Sequence, residues 1–387
     1  MRRNILFLNL IIFFVSSLML AQQDTTNKMN PQAAKYFNQG IEALKQSNYD
    51  QAVVFFDSSL AVEQNYLTYF QKGFAYLKNN QLDLAKENFN KALSMNNTFD
   101  LGYFNLAQAH LRSQEYDKAV ENYKKAAEVT TNDAIRKDAN SLIENSKQME
   151  ATDYFNKGNE LQKNNQFEEA LAMYDKSLEI FTDAKAHYQK GIVYFKMKQN
   201  DQAMQQLKES IAEDDSFDQA YIALAGLYLA EKNYDSAIVL YKKASTVASS
   251  DEMKQNASNG IGRVYLFMGN ASLKDKKYDK AIDELTQSTQ QYPNDQGYLS
   301  LARAYIEKKK YDDALTALDS ADAMKKNVTE GAIAYYKGIV YKNKGDKVKA
   351  SENFKAALND PVYKKAAQSE IANLNPQQQQ KQGVGKK

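Results

Sequence analysis

The chain has 387 residues with 50 basic and 48 acidic side chains, a formal charge of +2 that gives no bulk attraction to nucleic acid or an anionic membrane. It has no cysteine, which excludes disulfides, thiolate metal sites and a lipid-modified cysteine anchor. The four prolines, Pro31, Pro293, Pro361 and Pro376, leave the stretch from Gln32 to Tyr292 without a helix breaker, which supports an all-helical chain.

Residues 1–21 carry Arg2 and Arg3, an apolar run from Ile5 to Ala21, and then polar Gln22-Gln23-Asp24. This is the layout of a secretory signal peptide, with cleavage expected after Ala21; the run is short for a span, which wants ~20 apolar residues. Met19, where a small residue is preferred, and Asn9 inside the run keep a second outcome open, retention as an N-terminal anchor. Cleavage removes two arginines and no acid, leaving 48 basic against 48 acidic side chains. The mature chain is then not membrane-inserted unless this segment is kept, and an exported chain without cysteine suits the periplasm or outer surface of a Gram-negative bacterium.

After a linker, 22–32, a pattern returns nine times: an aromatic residue, Gly or Ala four on, Ala twelve later, a bulky apolar residue four further and a small one after three more. The first copies read Tyr36, Gly40, Ala52, Phe56, Ser59 and Tyr69, Gly73, Ala85, Phe89, Ala92; His187 and Ala334 replace the leading aromatic in the fifth and ninth. Intervals of four and three put these residues on one helical face, where small side chains let paired helices approach closely. Tyr49-Asp50, Tyr116-Asp117, Tyr234-Asp235 and Tyr311-Asp312 open the second helices, the acid being a cap or a first-turn charge. Lys347-Val348 departs from this in the last copy.

The small residues Gly40, Gly73, Ala107, then Gly158, Gly191, Ala225, then Gly269, Ala302, Gly338 fall into three groups of three. The expected segments are 33–133, an extra capping helix 134–150, 151–251, an extended helix with three more repeats over 252–361, a capping helix 362–374, and a disordered polar tail 375–387. A stacked array exposes an apolar end unless a more polar element covers it, which is the role expected of the extra stretches. Continuous stacking and hinging between the groups both remain open.

The repeat resembles the tetratricopeptide repeat, over about Ala33 to Leu374. That resemblance implies an all-α fold, a right-handed superhelical α-solenoid of about nine helix pairs, and a concave face lined by positions two, five, nine, twelve and thirteen of each first helix. Position five is Phe37, Phe70, Phe104, Phe155, Tyr188, Ile222, Leu266, Leu299 and Tyr335; position nine is Ile41, Phe74, Gln108, Asn159, Ile192, Gly226, Asn270, Arg303 and Ile339. The residues selected as a peptide-binding groove are Phe37, Ile41, Phe70, Phe74, Phe104, Gln108, Phe155, Asn159, Tyr188 and Ile192. Position five also packs between repeats, so packing stands beside binding as a reading of these residues. The family's clamp for chaperone tails wants Lys at five and Asn at nine, which Phe37 and Ile41 do not supply and Phe155 with Asn159 supplies by half.

No nucleophile, phosphate-loop or metal-helix pattern occurs, Gly260-Ile-Gly262 lacks the third glycine of a dinucleotide loop, and His110 and His187 have no second ligand. They read as packing residues, and no catalytic, metal or cofactor residue is expected. The lysines of 274–280 and 308–310 lie among or just before acids and read as solvated helix ends, not phosphate sites. The expected function is a non-enzymatic envelope scaffold that binds a protein or peptide partner and no nucleic acid. Its alternative is a structural subunit of a secretion, motility or outer-membrane assembly complex.

Overall fold

A computed structural model describes residues 29–324 and 326–374, and every regular element among them is an α-helix. The expected signal segment and polar tail lie outside these residues. Two compact units emerge. The first comprises the described residues up to 161 with 175–181. It holds α1 (Pro31–Lys45), α2 (Tyr49–Val62), α3 (Tyr66–Lys78), α4 (Leu82–Met95), α5 (Asp100–Arg112), α6 (Tyr116–Val129), most of α7 (Asp133–Lys163) and the end of α8 (Phe167–Ile180). The second comprises 162–174 and everything from 182 onward. It adds α9 (Ala184–Lys196), α10 (Asn200–Glu213), α11 (Asp218–Ala230), α12 (Tyr234–Thr246), α13 (Asp251–Lys274), α14 (Tyr278–Gln291), α15 (Asp295–Glu307), α16 (Tyr311–Met324), α17 (Glu330–Asn343), α18 (Lys347–Ala357) and α19 (Lys364–Leu374).

Within each unit, helices pack in successive pairs, α1 with α2, α3 with α4, and onward, as an α-solenoid requires. The small residues set the approach. A Cβ on Gly40 would sit 2.5 Å from the Phe56 ring, on Gly269 2.5 Å from Leu285, and on Gly338 2.6 Å from the Phe354 ring. Ala52, Ala85, Ala119 and their counterparts are fully buried. In three copies whose last small residue is serine the hydroxyl ties the pair: Ser59 donates to the Ala33 carbonyl at 2.9 Å, and Ser177 and Ser210 do the same to Ala151 and Ala184 at 2.7 Å.

Every turn inside a pair uses one residue in the left-handed region. Ser47, Asn80, Gln114, Asn165, Lys198, Lys232, Lys276 and Lys309 have φ of 58–63°, and Gly345 has φ 86°. Ser47 N–H donates to the Leu44 carbonyl and Asn48 N–H to that of Ala43, closing the last turn of α1 in the pattern usually built around glycine. A non-glycine residue there costs about 1 kcal/mol. The acids that follow resolve as first-turn charges, because the cap residues Asn48, Gln81 and Glu115 make no side-chain capping bond and Asp50, Asp83 and Asp117 stand inside the helix. In the ninth copy the acid has moved to the cap, where Asp346 accepts from Lys349 N–H at 3.0 Å.

Two helices run through the stretches between repeat groups without a break. The 31 residues of α7 place Ala139 and Ile143 on the core around Phe104 and Tyr123. The 24 residues of α13 place Ala257 and Ile261 against Tyr221 and Tyr241. Gly260 and Gly262 are packing residues of α13: a Cβ would lie 2.3 Å from the Tyr241 ring at the first and 2.4 Å from the Tyr292 Cβ at the second. The separate helix α19 buries Ala367 among Ala350, Phe354 and Ala357. Buried aspartates fasten loops from one repeat to the next. Asp218 accepts from Ser249 N–H at 2.7 Å and its hydroxyl at 2.6 Å, and Asp295 accepts from the Lys326 and Val328 amides at 2.8 Å.

Candidate functional site

Among the residues selected as a groove, Phe37, Ile41, Phe70, Phe74 and Phe104 do not form an open apolar surface. Phe37, Phe70 and Phe104 are each 1% exposed. Their rings lie 5.9, 5.7 and 5.3 Å from those of Phe56, Phe89 and Tyr123 on the second helix of the same pair, and Phe70 also meets Phe99 edge-on at 4.9 Å. Aromatic pairing across the pair has drawn position five into the core, so these three residues are structural in place of ligand-facing. Ile41 and Phe74 remain half-buried, the first against that core and the second with Lys78 Nζ 5.0 Å from its ring centroid. Gln108, Phe155, Asn159 and Ile192 are half-buried as well. Of the selected residues, Tyr188 lines a cavity in the second unit.

That cavity, about 690 Å³, is walled by Tyr188, Gln219 and Ile222 from α9 and α11, by Asn256, Asn259 and Arg263 from the first half of α13, and by Tyr292. A neighbouring cavity of about 520 Å³ lies between α13 and α15, lined by Leu266, Asn270, Leu273, Lys274, Gln296, Leu299 and Arg303. Leu266 and Leu299 hold position five, Asn270 and Arg303 position nine, Leu273 and Lys274 positions twelve and thirteen. The repeat register named these positions, but their aliphatic and polar content carried no aromatic signal that would have selected them. The contribution of Asn256 and Asn259, which precede the seventh repeat, depends on α13 running unbroken and had no signal in the repeat pattern.

The first unit has a cavity of about 380 Å³ of different character, lined by Glu115, Tyr116, Asp117, Lys118, Glu150, Asp153, Tyr154 and Lys157. Two of its carboxylates, Glu115 and Asp153, already have partners within the fold. Lys86 Nζ lies 2.7 Å from Glu115 Oε1 and Lys118 Nζ 3.0 Å from Oε2, and together they hold the Glu115 carboxyl down at about 2. The Tyr116 hydroxyl donates to Asp153, and burial followed by that carboxylate pushes the phenol up. Burial, then the charge of Asp117, pushes Glu150 up.

The histidines sit in packing networks. His110 Nδ1 is 2.8 Å from Glu115 Oε2, and burial lowers its pKa more than that carboxylate raises it. His187 Nδ1 lies 3.0 Å from Gln206 Oε1 and 3.2 Å from Glu209 Oε2. No helix among the described residues is long and apolar enough to cross a membrane.

Family models described as tetratricopeptide repeat match residues 67–99, 101–133, 154–183, 194–253 and 272–338, together more than half of the chain. The Hsp70-Hsp90 organising protein of Plasmodium falciparum is 32% identical over 124 residues, which are 30% of this chain and 22% of that protein. The chain therefore matches about a fifth of that relative's length. Among solved structures, the TPR domain of P58(IPK) aligns over 90% of this chain and 99% of its own at 14% identity and TM-score 0.32. Pseudomonas aeruginosa pilF aligns over 58% and 99% at 17% identity and TM-score 0.40.

Proposed function

Since the chain belongs to the tetratricopeptide repeat family, whose members are protein-interaction scaffolds, we propose that it is a non-enzymatic scaffold binding a protein or peptide along the face formed by its first helices. The observation that carries this reading is the second unit's pair of adjoining cavities, whose walls include residues at positions two, five, nine, twelve and thirteen of successive repeats. Walls that mix apolar side chains with amides and cations suit an extended peptide, whose backbone offers donors and acceptors and whose side chains fill alternate subsites. The relative's role as an organiser of Hsp70 and Hsp90 is in keeping with a scaffold.

We place this activity in the envelope of a Gram-negative bacterium, supported by Arg2, Arg3 and the apolar run to Ala21. The test is capture from an envelope extract by residues 22–387, run beside Leu266→Glu/Leu299→Glu with helicity verified. Partners lost by the variant support the groove. Partners kept by it move binding to another face, and an empty capture rejects the scaffold reading. Amino-terminal sequencing of the protein from cells reads Gln22 if the leader is cleaved and Met1 if it is retained.

A further inference from the structure

Charge is sorted in the second unit in a way that packing does not require. The whole chain carries 48 acidic side chains, yet neither of these two cavities is lined by one, whereas Arg263 lines the first and Lys274 and Arg303 the second. Arginine is scarce here, and its other described copies do internal work. Arg112 donates to the Leu77 carbonyl at 3.0 Å, and Arg136 donates to the Ala127 and Thr130 carbonyls and pairs with Asp133.

Arg263 and Arg303 differ. Both are exposed, and among the described residues neither they nor Lys274 makes an ion pair or a side-chain hydrogen bond. Some lysines of the same unit do find a carboxylate, as Lys337 does in Asp319 at 2.7 Å and Lys342 in Glu370 at 2.7 Å. The Arg303 guanidinium lies 5.8 Å from the Tyr336 ring centroid, a contact that orients the fork and leaves its charge unneutralised. Cations gathered in a concavity that no acid lines raise its potential and favour anions.

We infer that these cavities take an extended acidic segment of a partner protein, an assignment that rests on reading this face as the binding face. Carboxylates of the segment meet Arg263 and Arg303, where the planar fork donates to two oxygens at once. Apolar side chains between them lie on Leu266 and Leu299, and Asn270 and Gln296 bond the peptide backbone. The carboxylates are side chains and not a chain end. Arg263 and Lys274 are eleven residues apart on α13, about 16 Å along its axis, so one terminal carboxylate cannot reach both. Leucine at position five in both repeats also removes the lysine that a carboxylate clamp needs there. Three cations are too few to hold a phosphate backbone, whose affinity grows with each phosphate neutralised.

The test pans the full chain against short random peptides displayed within a carrier loop, free of any terminal carboxylate, in parallel with the Arg263→Gln/Arg303→Gln variant. Selected peptides are then synthesised acetylated and amidated, and their affinities are read by fluorescence anisotropy. The expected peptides carry at least two Asp or Glu around an apolar residue, lose about tenfold in affinity with either arginine changed and about a hundredfold with both, and weaken as salt rises. Unchanged thermal melting shows that the variant is folded.

Selection of peptides without acids, or undiminished affinity in the double variant, overturns the charge assignment. If such neutral peptides are lost with Leu266→Glu/Leu299→Glu, the scaffold reading survives on its own; if nothing is selected, both fall. A gain on restoring a free C-terminal carboxylate, or equal binding of single-stranded DNA, overturns the internal acidic segment as the source.

Discussion

Position five of the repeat is core in the first three repeats and cavity wall in several repeats of the second unit. Phe37, Phe70 and Phe104 are almost wholly buried because Phe56, Phe89 and Tyr123 stand opposite them on the second helices. Opposite Tyr188, Leu266 and Leu299 stand Leu207, Leu285 and Leu318, and these position-five side chains keep one face on the core and turn the other to the cavities. A repeat position by itself therefore does not decide exposure, and neither does the facing ring alone, since Tyr335 stays half-buried with its ring 5.8 Å from that of Phe354. Charge divides as well, since acids line the first unit's cavity, with Lys86 and Lys118 on Glu115, while the second unit's two cavities are lined by cations and no acid.

The sharpest way to break this contrast is a pair of truncations at position five. Phe70→Ala removes a ring from a closed core and is expected to cost about 3–5 kcal/mol, whereas Leu299→Ala, half-exposed, costs about 1 kcal/mol and weakens ligand binding instead. Urea unfolding read by circular dichroism measures both, and equal losses would mean that the two units are packed alike. A glycine pair refines it. Gly260→Ala drives a methyl to 2.3 Å from the Tyr241 ring and is expected to cost about 1–3 kcal/mol. At Gly226 the new methyl meets only the Tyr241 hydroxyl at 3.8 Å, so Gly226→Ala should gain about 0.5–1 kcal/mol in helix propensity.

Acid unfolding tests the loop tether. Burial raises the Asp295 pKa, but the amides of Asn327, Val328 and Lys326 outweigh it and hold the carboxyl at about 2. A folded-state pKa below the unfolded value of about 3.9 gives stabilisation that is complete above about pH 4 and fades as pH falls toward 2, worth about 2 kcal/mol. Asp295→Asn should remove that much at neutral pH and nothing near pH 2; identical acid profiles for the two proteins would discard the tether. The smallest effects belong to the turns, which are alike in both units. Asn80→Gly and Lys232→Gly each relieve a left-handed backbone and should gain about 0.5 kcal/mol, while Gly345→Ala loses about 1 kcal/mol, by thermal melting.

The pairing of helices was legible because small residues at intervals of four and three can be explained only by close approach, and Gly40 against Phe56 shows that approach directly. The turns were legible in position but not in mechanism: nothing in Ser47, Gln114 or Lys198 announces a left-handed residue, since glycine marks only the ninth. The candidate site was half legible. Repeat register identified Leu266, Asn270, Leu299 and Arg303 as equivalents of ligand-contacting positions, yet aromatic content directed attention to Phe37, Phe70 and Phe104, which the fold had already used.

What the sequence by itself determined is the helix pair and its repetition, because helical period and side-chain volume are local properties written into each copy. Only the tertiary structure decided which equivalent residues face inward and which line a cavity. That outcome depends on ring meeting ring across a pair, on α13 continuing unbroken into its repeat, and on which cations find a carboxylate within reach, all of them relations between residues distant in the chain.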